Sequence, residues 1–290
     1  MTTPDAPLIS HVSDTARWVA FYRAMESERP DAIFRDPYAR RLAGPQGEAI
    51  ARGMKHGLKF AWPMIVRTAV LDELIQRSIR EHGVEQVLNV AAGLDARPWR
   101  LPLPSTLRWI DVDLPAMLDH KTSELRGERP VCHYEAVKLD LSDVPARRQL
   151  FARVGAEGRR TLVMTEGLLV YLPPASVAEL ARDLHEAPSF ALWLTDLASP
   201  ELLEFLEKKT WSSTVRAGNA PFLFAPAEST GFFEPYGWRE VEWRSMFYEG
   251  IRLRRTVPFA RFWALLARLG GRRRQEKTER FSGIALLERS

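Results

Sequence analysis

The stretch Val84 to Ala96, VEQVLNVAAGLDA, decides the fold of this 290-residue chain. Its first half is an apolar run that is typical of a buried strand. The small residues Ala91, Ala92 and Gly93 follow, and they allow the backbone to turn sharply and to approach a ligand closely. The pattern predicts a strand followed by a cofactor-binding turn, although the same small residues also suit an ordinary strand-to-helix connection.

A pair of carboxylates follows the next strand-like run. Asp111 and Asp113 come after Leu107 to Ile110, at the spacing where nucleotide-binding folds place a carboxylate on ribose hydroxyls. Asp113 could instead cap the helix that Pro115 opens. The order of strand, small-residue turn, second strand and acidic residue indicates a nucleoside-binding site.

Strands and helices alternate through the middle of the chain. Strands are predicted at residues 86–91, 106–111, 132–139, 160–165 and 189–196, and helices at 115–126, 144–155 and 174–186. This alternation is typical of a parallel sheet with helices on both faces. Two later strands, at 237–244 and 281–288, would finish the sheet in antiparallel fashion. The expected fold class is α/β, with a Rossmann-like, mostly parallel seven-stranded sheet.

Two helices are predicted ahead of the sheet, at residues 13–28 with Ser13 and Asp14 as a possible cap, and at 64–82 before Gly83. The length suits a single domain spanning 1–290. We divide it into an N-terminal helical cap (10–62), a cofactor-binding core (63–199), and a lid-like insertion with the final strands (200–290).

The composition is that of an ordinary globular protein, with 46% apolar and 27% charged residues. No stretch approaches the roughly 18 uninterrupted apolar residues of a membrane span. The first ten residues lack the basic and apolar regions of a secretion signal, so we expect a cytoplasmic protein with no membrane partner.

Charged residues and metal-ligating residue types exclude further classes. The net charge is +4, and Arg272, Arg273, Arg274 and Lys277 carry much of the excess. We interpret these four as a solvated connection before the last strand, so no nucleic-acid partner is expected. The single cysteine excludes an internal disulfide, and the six histidines show no paired spacing of a metal site. No metal is expected, and the oligomeric state stays open.

Acidic residues also end the later predicted strands. Asp140 follows the third strand, Glu166 the fourth and Asp196 the fifth. Ligands of open α/β sheets bind beyond the carboxyl ends of the strands. Because Glu166 and Asp196 follow strongly apolar runs, we interpret the set as part of a ligand site rather than as a solvated surface.

Several segments together resemble one known family. They are Arg67-Thr68, AAGLDAR at 91–97, WIDVDLP at 109–115, Asp140-Leu141 and TEGLLVYL at 165–172, with SDTA at 13–16 and FRDPYA at 34–39. The chain resembles the leucine carboxyl methyltransferase family, which comprises class I S-adenosylmethionine-dependent methyltransferases. The bacterial branch of the family includes carboxyl O-methyltransferases of polyketide pathways. The resemblance covers residues 10 to 200 well and the remainder loosely.

The resemblance implies a cofactor, S-adenosylmethionine, and residues that hold its amino-acid part. Arg67 would pair with the methionine carboxylate, since a guanidinium fork matches two carboxylate oxygens; the alternative is a solvated helix arginine. Gly93 would pass close to the methionine portion. Asp95 would hold the ammonium group or shape the turn, and Glu166 would lie near the sulfonium or the amino end.

The same resemblance implies contacts to the nucleoside and the acceptor. Asp113 would accept both ribose hydroxyls, with Asp111 as the weaker candidate. Asp140 and the backbone of Leu141 would meet the adenine ring. Tyr171 would border the methyl-transfer path and is our candidate catalytic residue.

One position departs from the family pattern. Ala91 stands where the family more often has the first glycine of the turn. An alanine is tolerable there if its backbone angle is ordinary, so the departure weakens the cofactor prediction only slightly.

The chemistry expected is O-methylation of a carboxylate of a small molecule or polyketide-like metabolite. A carboxylate is already ionised at neutral pH and needs no general base, whereas a phenol or alcohol would need one. Two alternatives stay open. One is an NAD(P)-dependent oxidoreductase, because Tyr134 and Lys138 match a Tyr-x-x-x-Lys spacing, and the other is a non-catalytic cofactor-binding module.

The acceptor pocket is expected in the less regular parts of the chain, within 10–62 and within 211–247. Aromatic residues of the second part could line a pocket or, more often, form core: Trp211, Phe222, Phe224, Phe232, Phe233, Tyr236 and Trp238. The sequence does not identify the acceptor.

Overall fold

The computed structural model describes residues 13–54, 57–209 and 221–290. A seven-stranded sheet forms its centre. The strands are β1 Gln86–Val90, β2 Arg108–Asp113, β3 His133–Lys138, β4 Thr161–Thr165, β5 Phe190–Ala198, β6 Trp238–Ser245 and β7 Ser282–Arg289. Their order is β3-β2-β1-β4-β5-β7-β6. The first five strands are parallel, and β7 runs antiparallel to both β5 and β6. The predicted sheet and its antiparallel finish are confirmed.

Helices precede the sheet and connect its strands. They are α1 Ser13–Ser27, α2 Ala39–Gly53, α3 Trp62–Glu81, α4 Arg97–Arg100, α5 Pro115–Glu124, α6 Val144–Gly155, α7 Pro174–His185 and α8 Pro200–Lys209. Three further helices, Met246–Arg252, Ala260–Leu269 and Arg272–Glu279, lie between β6 and β7. The last of these contains the basic cluster at 272–277, whose side chains are exposed, in agreement with a solvated connection before β7.

The two faces of the sheet are covered by different helices. Successive strand residues point to opposite faces. Leu88 and Val163 accordingly pack in a cluster with α6 and α7. Their neighbours Val87 and Leu162 pack in another cluster with α3. Burial on both faces explains why the central strands read as continuous apolar runs.

The N-terminal helices cover the carboxyl end of β1. Trp18 and Phe21 of α1 pack in one cluster with Leu94 and Trp99, which follow the cofactor turn in sequence. The buried Arg23 also donates a hydrogen bond of 2.6 Å from Nη2 to the carbonyl of Leu94. The cap is therefore attached to the turn by both apolar packing and a hydrogen bond.

None of the described helices combines the length and the apolar character that a membrane span requires.

Candidate functional site

The turn after β1 contains two residues with a left-handed backbone. Gly93 has φ of 50°, and a Cβ added there would lie 3.3 Å from the Cβ of Ala16 in α1. Ala91 has φ of 59°. The condition of an ordinary backbone angle at Ala91 is therefore not met, because the turn needs a conformation that costs a non-glycine residue roughly 1–2 kcal/mol. The backbone strain lies at the proposed ligand-binding turn, where such strain concentrates.

Asp113 at the end of β2 is tied to this turn. Its Oδ2 accepts a hydrogen bond of 2.7 Å from the amide of Gly93, and its Oδ1 accepts one of 2.7 Å from the amide of Leu114. No side-chain cap bond is formed at the N-terminus of α5, so the helix-cap interpretation of Asp113 is not supported. Burial raises the pKa of Asp113 despite these two hydrogen bonds. The carboxylate borders the cavity described below, with further lone pairs available to a ligand.

Asp95 and Arg97 form the centre of a buried charge network. The guanidinium of Arg97 contacts Asp95 at 2.8 Å, Glu166 at 2.8 Å and Asp72 at 2.6 Å. Burial alone would raise the pKa of Asp95, but Arg97, Lys121 and Arg100 outweigh it and lower the pKa to about 2. Asp95 also accepts from the backbone amide of Arg97 at 2.9 Å, so it shapes the turn directly.

Arg67 of α3 is buried, which excludes the solvated alternative. Its Nη1 donates to Asp196 at 3.0 Å, and its Nε lies 3.0 Å from Oε1 of Glu166. The buried Nε nevertheless has no aligned hydrogen-bond partner. Burial would lower the pKa of Arg67, but Asp196 and Glu166 outweigh it and raise the pKa, so the guanidinium stays charged.

Glu166 and Asp196 link this network to the end of the sheet. Burial would raise the pKa of Glu166, but Arg97 and Arg67 lower it overall. Asp196 accepts from the amide of Gly167 at 2.6 Å through its other oxygen. Arg67, Glu166 and Asp196 thus form one fixed cluster beside β4 and β5.

Asp111 is held by hydrogen bonds inside the protein core. It is fully buried and accepts from Lys121 Nζ, Asn89 Nδ2 and Trp109 Nε1 at 2.5–2.9 Å. Lys121 is itself fully buried. Asp111 does not border the cavity, whereas Asp113 does.

A cavity of about 530 Å³ connects these groups. It is bordered by the predicted residues Arg67, Ala91, Gly93, Asp95, Asp113, Asp140, Leu141, Glu166 and Tyr171. The structure therefore brings these nine residues to one cavity at the carboxyl ends of the parallel strands. Its size is within the usual range for small-molecule sites.

The two ends of the cavity differ in chemistry. Asp140 is exposed, and the amide and hydroxyl of Ser142 lower its pKa by hydrogen bonding. At the other end Tyr171 packs against Phe222, with ring centroids 5.6 Å apart. Burial raises the pKa of Tyr171, although Arg67 opposes the rise, so the phenol is neutral at physiological pH.

Sequence reasoning missed part of the apolar lining. Leu202, Leu203 and Leu206 of α8 border the cavity, as do Thr15 and Ala16 of α1. The leucines recur at helical spacing, a signal that was available in the sequence.

Most of the aromatic candidates are core rather than lining. Phe222 borders the cavity. Phe224, Phe233 and Trp238 are buried in the cluster on one face of the sheet, with Phe232 and Tyr236 packed against it. Trp211 lies outside the described residues, as do the side chains of Ser13 and Asp14. Among the described residues no group of histidine, cysteine and acidic side chains could hold a metal ion.

The two residues that suggested an oxidoreductase do not come together at the cavity. Tyr134 and Lys138 lie on the strand β3 rather than on a helix. Tyr134 is largely buried beside Trp99, with ring centroids 4.5 Å apart, and the Nζ of Lys138 pairs with Asp119 at 2.5 Å. The two side chains do not border the cavity.

The strand order and the carboxylates beyond the parallel strands together define a Rossmann-like sheet with a ligand site at the carboxyl ends of its parallel strands. The model of the leucine carboxyl methyltransferase family matches residues 16–185. The chain belongs to this family, which confirms the resemblance seen in the sequence.

Relatives agree with this assignment. A Streptomyces coelicolor protein, named as an S-adenosyl-L-methionine-dependent methyltransferase, is 34% identical over 249 residues, which cover 79% of this chain and 83% of the relative. A Mycobacterium tuberculosis protein of the same name is 32% identical over 254 residues, covering 77% and 83%. The methyltransferase class is thereby confirmed.

Among solved structures, a DUF574 family protein from Streptomyces avermitilis superposes with a TM-score of 0.60 at 15% identity, covering 97% of this chain and 98% of its own. A methyltransferase structure from Thermobifida fusca superposes at 0.55 and 14% identity, covering 98% and 96%. These likenesses support the fold over nearly the whole chain.

Proposed function

We propose that this chain transfers a methyl group from S-adenosylmethionine to a carboxylate oxygen of a small, largely apolar acceptor. The cofactor prediction is confirmed at the level of the family, whose relatives are named for it. When bound, the cofactor supplies an electrophilic methyl group on a sulfonium, which is already a good leaving group. The protein therefore has to position two molecules and exclude water from between them.

The groups around Arg67 fit the amino-acid part of the cofactor. Arg67 borders the cavity with a buried, charged guanidinium, and such a group suits a carboxylate ligand. The acidic side chains of Glu166 and Asp196 beside it suit an ammonium group. We propose that Arg67 binds the methionine carboxylate and that Glu166 binds the amino end.

The groups around Asp113 fit the nucleoside part. A side chain at Gly93 would crowd Ala16 of α1, so at this position the backbone itself borders the cavity. We propose that Asp113 accepts the ribose hydroxyls and that Asp140 and Leu141 contact the adenine. Asp95 would act by holding the turn, since its oxygens are occupied by Arg97 and Asn89.

The carboxylate proposal rests on the protonation states of the side chains that line the cavity. Its described residues include no histidine, cysteine or lysine. The lowered pKa of Glu166 makes it a poor base, and the raised pKa of Tyr171 keeps the phenol protonated. An acceptor that is already ionised needs no base. Tyr171 would border the transfer path as a hydrogen-bond donor.

The decisive experiment incubates the protein with methyl-labelled cofactor and pools of carboxylic acids or of phenols, and then treats the products with mild base. A methyl ester releases labelled methanol, whereas a methyl ether retains its label. We expect base-labile products from the acids. The rate of methyl transfer should not change with pH above the pKa of the acceptor. Base-stable products would contradict carboxylate transfer, and cofactor binding without any product would favour a non-catalytic module.

The orientation of the cofactor is tested at Arg67. Arg67→Ala should weaken S-adenosylhomocysteine far more than an analogue without the methionine carboxylate, because that analogue never made the contact. Arg67→Lys should keep measurable binding, since it retains the charge but not the two parallel donors. Equal losses for both ligands would assign Arg67 to structure alone.

A further inference from the structure

The helix Ala260–Leu269 presents its large apolar side chains to the outside. Its alanines Ala260 and Ala267 are buried. The exposed fractions are 54% for Phe262, 53% for Trp263 and for Leu265, 74% for Leu269, and 80% for the preceding Phe259. Surface helices normally bury their large apolar residues and expose polar ones. The reversed arrangement indicates that a partner other than water covers this apolar face.

The exposed side chains form one continuous surface. At 100° per residue, positions 262, 263, 265 and 269 fall on one broad arc of the helix Ala260–Leu269, away from the two buried alanines. The rings of Phe262 and Trp263 are in contact, with centroids 5.7 Å apart. Scattered exposed apolar residues are ordinary, but a contiguous patch marks an interaction site.

Basic residues border this apolar surface. Arg261 and Arg268 are exposed on the same helix and fall together at one edge of the apolar arc. The next helix adds exposed Arg272, Arg273, Arg274 and Lys277. Residues 259–279 thus contain six basic side chains and only two acidic ones.

We infer that this chain attaches to anionic lipid bilayers through the surface formed by residues 259–277, with the helix Ala260–Leu269 lying in the plane of the interface. Trp, Phe and Leu on one side of a helix, with arginines beside them, is the arrangement of interfacial helices. Each arginine or lysine near an anionic surface contributes about 1 kcal/mol. The expectation of no membrane partner rested on the lack of a spanning segment, which an interfacial helix does not need.

Two other occupants fit less well. A second copy of the chain would bring the same basic residues together across a two-fold axis, and like charges repel. A nucleic acid would use the arginines but leave the aliphatic Leu265 and Leu269 exposed. A bilayer with anionic headgroups satisfies both the charge and the apolar area.

The surface adjoins the acceptor end of the cavity. Lys277 forms an ion pair of 3.5 Å with Glu201 of α8. Leu202, Leu203 and Leu206 of the same α8 border the cavity. Attachment by residues 259–277 would therefore hold α8 near the membrane surface.

The test measures co-sedimentation of the full chain with phosphatidylcholine vesicles, with and without phosphatidylglycerol. We expect binding that requires phosphatidylglycerol and weakens with salt. The double variant Phe262→Ser/Trp263→Ser and the triple variant Arg272→Gln/Arg273→Gln/Arg274→Gln should each lose about tenfold or more in affinity.

Matched controls separate this surface from general effects. Val131→Ser removes another exposed apolar side chain, and Arg126→Gln/Arg129→Gln removes exposed charges elsewhere. Both should bind vesicles like the wild type. Equal binding by all variants, or no binding by the folded wild type, would overturn the inference. So would sedimentation analysis showing a stable dimer that Phe262→Ser/Trp263→Ser dissociates.

Discussion

The two parts of the cavity that we propose for the cofactor and for the acceptor, called here the cofactor side and the acceptor side, are built in different ways. The cofactor side consists of strand ends and short turns, where each charged group has fixed partners, as Arg97 has in Asp95, Glu166 and Asp72. The acceptor side consists of apolar side chains from α8 and the segment that begins at 221. Polar recognition is thus fixed by local chain geometry, whereas the acceptor surface depends on packing between distant segments.

The largest effect should come from breaking the charge network of the cofactor side. Arg97→Met leaves three buried carboxylates without their shared cation, which should cost about 3–5 kcal/mol of unfolding free energy. Denaturant titration measures the loss. Arg52→Met is the control, since Arg52 forms an exposed pair with Glu48 and should cost about 0.5 kcal/mol at most. Similar losses in both variants would contradict the network.

Ligand binding sharpens the comparison at Asp113. Asp113→Ala removes the acceptors proposed for the ribose hydroxyls and should weaken S-adenosylhomocysteine binding by about 2–3 kcal/mol. Asp140→Ala, at an exposed position, should cost about 1 kcal/mol or less. Calorimetry gives both values, and melting curves check the fold. Unchanged affinity for Asp113→Ala would leave this carboxylate as a support for the Gly93 turn alone.

The stability of the cofactor side should also depend on acid. The pKa of Asp95 is lowered from 3.8 to about 2 in the folded protein. Its contribution to the free energy of unfolding is therefore fully present above the unfolded pKa, and it is lost as pH falls through the folded pKa. Between about pH 5 and pH 2 the wild type should lose about 2 kcal/mol that Asp95→Asn does not lose. Parallel pH profiles of unfolding free energy for the two proteins would refute this assignment.

The smallest effect is expected at Ala91. Ala91→Gly relieves a left-handed alanine but adds freedom to the unfolded chain, so stability should rise by no more than about 1 kcal/mol. Ala92→Gly, where φ is not positive, should lower stability. Thermal melting of the pair gives the sign, and a destabilising Ala91→Gly would show that the turn is not strained.

The same division explains what could be predicted from the sequence. The strands and the residues at their ends follow from local periodicity and turn chemistry, so Gly93, Asp113 and Glu166 were placed correctly at one cavity. The left-handed angle of Ala91 was not foreseen, because alanine rarely adopts a positive φ and its presence gives no signal for one. The sequence showed Arg97 only as part of a motif and gave no sign of its charge network, because its three carboxylate partners lie in separate segments.

Prediction was weaker on the acceptor side. Aromatic residues such as Phe224 and Phe233 fill the core instead of lining the cavity, and only the assembled sheet distinguishes the two outcomes. The helical spacing of Leu202, Leu203 and Leu206 was a usable signal, but which element that face meets depends on tertiary packing. The outward apolar face of Ala260–Leu269 was likewise indistinguishable from an ordinary amphipathic helix, whose pattern it shares.

The measurement that tests the central claim most directly is calorimetric titration of the wild-type protein with S-adenosylmethionine, S-adenosylhomocysteine and NAD. The cavity groups at the strand ends predict saturable binding of both methionine nucleosides, with one site per chain, and no binding of NAD. Saturable binding of NAD without either methionine nucleoside would contradict the account.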